Sequence, residues 1–454
     1  VIALRSHRAH AARDAWQVHS YSALGDHGRR DVDATALGPL PGWRSAYLKV
    51  SAGHSARDDF PGHRGLTPDE APHPRSRQTG ANDLRSDRFR AVLGVHLAED
   101  ARLEVDYRYL DLGPWDSIED LSSGSNLIAV DEWASGVTLT LPWVEVEYVH
   151  TENDGFYSNQ IGTYVAFKDF RYAQAGFDNT IDRLRLQSDL HAGDHTVTLG
   201  AEFERFRSES NLWARRASYD DRSTWRTMTI RNRAVYAEHQ WDLDGAWSTT
   251  AGLRVDDHNM IGNNLSPRVA LNRRFGTDHF ARLSFSSGYR LPTAIELGIE
   301  EFFFRVDDDL EAESIQSLDL SWQGKVADLD LNAGAFYNRT DGLLWFHPLS
   351  ADAMRDAWLD FLAEGDPTVQ PGPFFALENL GNPNQGFGLE IGADWHLSDG
   401  WSLWGNGTWQ RYRFDERIHF QSDGFIDPIS GDRQFQFDER FPRDVNAPPS
   451  WTLN

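Results

Sequence analysis

The dominant period of apolar and polar positions along this chain is two. In DRLRLQSDL, Leu184, Leu186 and Leu190 share one face, and Arg183, Arg185, Gln187 and Asp189 share the other. In HTVTLGAEF, Val197, Leu199, Ala201 and Phe203 alternate with Thr196, Thr198, Gly200 and Glu202. DLDLNAGAFYN alternates from Leu329 to Tyr337, and FGLEIGADWHL from Phe387 to Leu397, with further examples at 89–97, 103–109 and 247–255. Successive strand side chains point to opposite faces, so each segment predicts a strand with one apolar and one polar side. The segments run about ten residues, above the usual five or six. About ten is the length a tilted strand needs to cross the hydrocarbon of a bilayer.

The connectors alternate in length. Short turns fall at 38–43, 98–101, 191–194, 244–246, 275–278 and 398–400, and long loops at roughly 58–86, 113–134, 152–180, 207–230, 291–313, 342–377 and 415–446. One trimmed rim and one elaborated rim are the mark of an up-and-down barrel. About eighteen strands are expected, starting near 15, 29, 44, 86, 102, 135, 143, 181, 195, 231, 247, 266, 279, 313, 328, 384, 401 and 447, the last of them cut off. A soluble propeller would repeat four strands with a period of about forty residues, and no such repeat is present. The fold class expected is all-β, a transmembrane antiparallel up-and-down β-barrel.

One stretch, SFSSGYRLPTAIEL (284–297), ends a strand abruptly at a proline and opens onto an acid-rich loop. Pro292 has no N–H and biases Leu291 away from helix, so the pair can stop the ladder where a strand leaves the membrane.

Composition narrows the choices. A mean hydropathy of −0.55 ordinarily reads as soluble. A barrel escapes that reading, because alternate strand residues face lipid and polar loops dilute the average. The 69 acids against 44 bases give a net charge of −25, which argues against a nucleic-acid surface and against a basic membrane-surface helix. The absence of cysteine excludes disulfides, iron–sulfur clusters and thiol nucleophiles. No run of 18 apolar residues forms a membrane-spanning helix. The chain opens VIALRSHRAH and closes PPSWTLN; neither reads as a natural terminus, and a fragment of a longer precursor is expected.

SPRVALNRRFGTDHFARLSFSSGYRLPTAIEL (266–297) resembles the signature stretch of TonB-dependent outer-membrane receptors, through Pro267, Arg268, Gly288, Tyr289, Arg290 and Pro292. LEAESIQSLDLSWQG (310–324) is similar to the family's next strand, with Glu311, Ala312 and Glu313 where Lys-Pro-Glu is usual. Asn379 and Gly381, and Gly388 and Glu390, match the marks of the following strands; 234–258 and ALGPLPGW (36–43) match earlier ones. The resemblance implies that residues 1–454 are most of the barrel domain of the 22-stranded type, with the last strands beyond Asn454. The family's N-terminal plug and energy-coupling box are not found. It also implies active uptake of a scarce solute across a Gram-negative outer membrane. A ferric siderophore is the commonest case, and cobalamin, haem, other metal chelates and glycans also occur. The partners implied are outer-membrane lipid, a metal chelate or similar solute, and the TonB complex through a plug region not in this chain. A monomer without cofactor is expected.

Catalysis has little support. HExxH and GxSxG are absent, and GHSAR (53–57) has Arg57 in place of the second glycine. GFGLEIG (386–392) lies inside an alternating strand with no helix after it, so its glycines relieve crowding or mark a bulge. The seventeen histidines are scattered. The acids Glu300, Glu301, Asp307, Asp308, Asp309, Glu311 and Glu313 lack EF-hand spacing and read as a solvated loop before a Ca²⁺ site. Candidate solute contacts are the loop aromatics Phe302, Phe303, Phe304, Trp345, Phe346, Phe374, Phe375, Trp213 and Trp225. Such rings stack on planar or apolar chelators, or else pack the loops together or form an interfacial girdle. Arg215, Arg216 and Arg305 can meet an anionic ligand or pair with neighbouring acids. The competing functions are a passive porin-like channel, an outer-membrane hydrolase and a soluble β-rich binding protein.

Overall fold

The computed structural model describes residues 15–25, 29–57, 84–116, 126–159, 173–210, 225–293, 296–297, 304–306, 310–364, 375–398, 401–414, 419–427, 431–440 and 451–453. The chain divides into two compact units, residues 1–187, 202–231 and 367–369 in the first and 188–201, 232–366 and 370–454 in the second.

The first unit is an antiparallel meander. Its strands β1 (Gln17–Leu24), β2 (Arg30–Leu40), β3 (Trp43–Arg57), β4 (Leu84–Ala98), β5 (Ala101–Asp116), β6 (Asn126–Thr140), β7 (Glu145–Asn159) and β8 (Ala173–Ala192) each pair with the next in sequence. The end of β8, 188–192, falls in the second unit, and β9 (His195–Ser210) and β10 (Arg226–Asp242) likewise divide between the units.

The second unit continues with β11 (Trp247–His258), β12 (Gly262–Phe275), β13 (His279–Arg290), β14 (Phe304–Val306), β15 (Glu313–Val326), β16 (Leu329–Asp341) and β17 (Leu344–Pro348). After a helix, α1 (Ala351–Glu364), come β18 (Phe375–Asn379), β19 (Asn384–Ser398), β20 (Trp401–Phe414), β21 (His419–Ile426), β22 (Arg433–Arg440) and β23 (Trp451–Leu453). Strands β10, β11, β12, β13, β15, β16, β19, β20 and β23 form an antiparallel meander in that order. The others belong to the long connectors. β14 runs parallel to β18, which pairs with β17, and β21 and β22 form a hairpin against which α1 packs.

Each strand start read from the alternation has its strand. The 342–377 loop, however, is not irregular: it contains β17, α1 and β18. A 15-residue strand such as β4 is about 50 Å long at roughly 3.4 Å per residue. Tilted as barrel strands are, it outreaches an apolar band of about 25 Å.

The registers turn the alternation into rows. In the first unit Leu48, Leu93, Val105, Val137, Tyr148 and Leu184 stand side by side on one face. All but Leu48 are 37–43% exposed, so this apolar face is bare and not folded into a core. In the second unit Leu271, Leu283, Leu320 and, two strands on, Leu389 form an equivalent row, 38–56% exposed. Large apolar side chains that are buried sit elsewhere. Leu310, Leu344, Met354, Trp358, Leu377 and Phe425 lie in the connector elements of the second unit or at their junctions with the strands.

The opposite face is polar and crowded, and glycines make room on it. Tyr47, Gly94 and Glu104 lie in one row across three strands. With no side chain at Gly94, the Tyr47 ring lies over it and its hydroxyl donates to Glu104 Oε1. Arg88 reaches Asp33 at 2.9 Å over Gly53 in the same manner. Gly94→Ala is therefore expected to cost about 1–3 kcal/mol by overpacking and much less in a Tyr47→Ala background. Urea unfolding of the four proteins of this double-mutant cycle in detergent checks it; equal costs in both backgrounds would refute the crowding.

Candidate functional site

The stretch that ends at Pro292 is the polar joint of the second unit. β13 stops at Arg290, whose cross-strand partner is Glu313 at the start of β15. Arg290 holds Glu313 by two parallel bonds, Nε to Oε2 at 2.7 Å and Nη2 to Oε1 at 2.6 Å. Its Nη1 donates to Glu296 at 2.9 Å. Such fork-to-fork pairing fixes direction as well as distance. Glu313 is buried, and its Oε1 also accepts the amide of Leu344, 2.8 Å away at the start of β17.

Beyond the buried Pro292, Thr293 and Glu296 form a capping box. The Thr293 amide donates to Glu296 Oε2 at 2.6 Å, and the Glu296 amide to Thr293 Oγ1 at 3.2 Å. The Leu297 amide then donates to the Thr293 carbonyl. Burial opposes ionisation of Glu296, but the Arg290 guanidinium and the Thr293 donors outweigh it and hold its carboxyl below the usual range.

An apolar knot sits beside this joint. Leu310, Leu344 and Leu377 are buried together, with Ile261, Leu297 and Val306 packed against them. His258, fully enclosed at the end of β11, accepts the Met260 and Ile261 amides on Nδ1 and so fixes the turn that delivers Ile261. Asn379 ties the connectors to the strands. Its side chain accepts the Glu311 amide at 2.8 Å and donates to the carbonyls of Glu311 and Gly342 at 3.0 and 2.7 Å. Neighbouring Asp256, wholly buried, is bonded by Asn232 and Arg254 and by the Tyr289 hydroxyl.

The residues singled out in the sequence distribute as follows. Positions 304 and 305 on β14, 345 and 346 on β17 and 375 on β18 come together in one three-stranded sheet, in the registers Phe304↔Phe375 and Phe346↔Leu377. Trp345 and Phe375 are half-buried there and Arg305 is exposed. Trp225 is half-buried before β10, in the first unit. Trp213, Arg215, Arg216, Phe302, Phe303 and Phe374 lie outside the described residues, as do Glu300, Glu301 and Asp307–Asp309. Glu313 is not a solvated loop acid, because Arg290 and Leu344 claim both its oxygens. Among the described residues no cluster of three His, Asp or Glu side chains could hold a metal ion.

Pro267 sits where the β12–β13 ladder ends, one residue beyond the last pair Arg268↔Ser286, so its missing N–H costs no bond there. Arg268 reaches across Gly252 to Glu238. The sequence reading missed α1 and the roles of Glu296 and His258. Thr293-x-x-Glu296 was a readable capping signal, and Met354 and Trp358, the buried pair of α1, were a readable i, i+4 pair.

A meander of long antiparallel strands, bare and apolar on one face and polar on the other, with elaborated connectors at one end, defines the class of transmembrane β-barrels. The chain belongs to the TonB dependent receptor-like, beta-barrel family, whose profile matches residues 15–452. It is 27% identical to the ferrienterobactin receptor of Escherichia coli K12 over 179 residues, 36% of this chain and 23% of that one. Its fold matches the siderophore receptor PirA of Pseudomonas aeruginosa with a TM-score of 0.61 at 14% identity, covering 88% of this chain and 67% of PirA. It matches the copper transporter OprC with a TM-score of 0.64 at 14% identity, covering 87% and 61%.

Glu313→Gln is expected to lower stability by about 2 kcal/mol, the cost of breaking a buried pair discounted for the half-exposed Arg290. For Glu296 the depressed carboxyl stabilises the fold in full above its unfolded value of 4.5, and this is lost as pH falls through the folded value. The gap in urea midpoint between the native protein and Glu296→Gln is therefore expected to stay constant from about pH 7 to about 4.5 and to narrow below. A gap independent of pH would remove Glu296 from the joint.

Proposed function

We propose that this chain is the barrel part of an outer-membrane receptor that captures a ferric siderophore on its long connectors and imports it with energy transmitted by TonB. The family assignment supports the transporter class, and the named relatives include a ferrienterobactin receptor and a siderophore receptor. The observation that carries the reading is the β14–β18–β17 sheet. It brings β14 from one connector onto β17 and β18 of another, and the registers place Trp345 and Arg305 on the face opposite Leu377 and the buried knot. Rigid rings on a braced sheet bind a planar, partly apolar chelate at little entropic cost. The solute gains affinity from Trp345 and from Arg305, while the transport work comes from outside the chain.

The test uses the full-length protein. Trp345→Ala combined with Arg305→Ala is expected to weaken binding of a ferric tris-catecholate about tenfold or more, as loss of an aromatic and a charged anchor does. Equilibrium titration by tryptophan quenching reads this out, with heat-modifiable gel mobility confirming the barrel. Iron-starved cells lacking the gene should lose uptake of the radiolabelled chelate. Passage that persists after TonB is removed would instead mark a passive channel.

A further inference from the structure

On six strands of the second unit the central residues of the apolar face can be read from the registers: alternate positions in 247–255 on β11, 265–275 on β12, 279–287 on β13, 316–326 on β15, 329–337 on β16 and 387–397 on β19. Among these positions Arg273 is the one Lys, Arg, Asp or Glu. It lies two residues from the short-turn end of β12. Its guanidinium carbon is 4.7 Å from the centre of the Trp247 ring and 4.4 Å from that of Phe275, so two aromatic faces hold the cation in place. Arg273 is exposed and has no carboxylate partner among the described residues. The turn acid Asp244 accepts the amides of Ala246 and Trp247 on Oδ1, at 3.0 and 2.8 Å. His279, opposite Phe275 in the next strand, stacks on Trp322 at 5.8 Å and adds a second polar group to the same rim.

A lone cation at the edge of an oily belt needs a counter-charge at headgroup depth. On the other side of it along the strands, Leu253, Leu271, Leu283 and Leu320 expose 38–54% of their surface, a bed for acyl chains. We propose that Arg273, held by Trp247 and Phe275, binds the phosphodiester of a glycerophospholipid in the leaflet at the short-turn rim. Guanidinium meets phosphate by two parallel N–H bonds, and the lipid's chains lie along the leucines. A free phosphate would gain the guanidinium without the leucines. This inference rests on the outer-membrane reading above.

The purified, delipidated full-length protein is titrated with phosphatidylglycerol in detergent, and bound lipid is counted by native mass spectrometry. Arg273→Gln is expected to weaken binding about fivefold, the usual worth of one basic side chain at a lipid surface. Arg273→Lys should lie between, since it keeps the charge and loses the fork. Arg282→Gln, on the polar face of β13, should bind as the native protein does, and diacylglycerol with the same chains should bind poorly. Unchanged binding by Arg273→Gln, equal loss in Arg282→Gln, equal binding of diacylglycerol, or displacement by inorganic phosphate at the lipid's own concentration would each overturn the site. Heat-modifiable mobility separates the two failures: a protein that shows it yet binds no lipid through Arg273 sinks the site alone, whereas a protein without it sinks the membrane reading too.

Discussion

Hydrocarbon offers a peptide group nothing to bond with, so a chain that crosses it must satisfy every backbone N–H and C=O from its own strands. That constraint organises this molecule. Each strand of the two meanders pairs with the next meander strand along the chain, connector elements aside, and the residues that cannot donate stand where a ladder is already over. Pro267 keeps its place opposite Leu253 on β11, yet lies just past the last β12–β13 pair. Pro292 follows the final β13–β15 pair, Arg290↔Glu313. Once the backbone is spent on neighbours, side chains must supply every other distinction, one face for oil and the other for water.

The two faces solve different problems. The apolar rows need only bulk, and Leu, Val and Phe supply it without specific contacts. The polar face must fit long side chains into a pleat where direct neighbours are about 5 Å apart. Glycine in the middle strand is the recurrent answer: Asp33 and Arg88 meet over Gly53, and Glu238 and Arg268 over Gly252. An ion pair that spans two strands locks register across three, which simple alternation cannot do, because a slip of two residues restores the same pattern of faces.

This explains what could be read in advance. The meander strands were legible because burial in oil imposes a strict period of two on their central residues. Their long-connector ends were not. β6, β8 and β10 begin several residues earlier than the alternation suggested, through segments such as NLIAVDEW and AQAGFDNT. Above the bilayer both faces are wet, so a strand there needs its ladder and not its alternation. The connector elements were obscure for the same reason. α1 buries only one side, with Met354 and Trp358 inward and Asp352, Arg355, Asp356 and Asp360 exposed, and apolar residues off that face, such as the exposed Leu359, blur its period. The sheet that unites positions 304, 345 and 375 joins two connectors far apart in sequence, and no local pattern encodes that pairing.

The connector elements of the second unit thus differ in kind from the strands beneath them. They hold together as soluble domains do, by burial of Leu310, Leu344 and Leu377 in one knot and by the packing of buried Trp358 of α1 against buried Phe425 of β21. Apart from Ile261, which packs on the first knot, their ties to the meander are polar: Glu313 receiving the Leu344 amide, Asn379 bridging Glu311 and Gly342, and Arg290 clamping Glu313 and Glu296. Water reaches nearly half of Arg290, and a solvated ion pair contributes less than buried apolar contact of similar extent. The joint is therefore softer than either body it connects, and local opening is favoured there before it is favoured within the knot or the ladder. Load on β17 or β18 falls first on bonds that salt and acid can loosen, while the strand pairing is left intact.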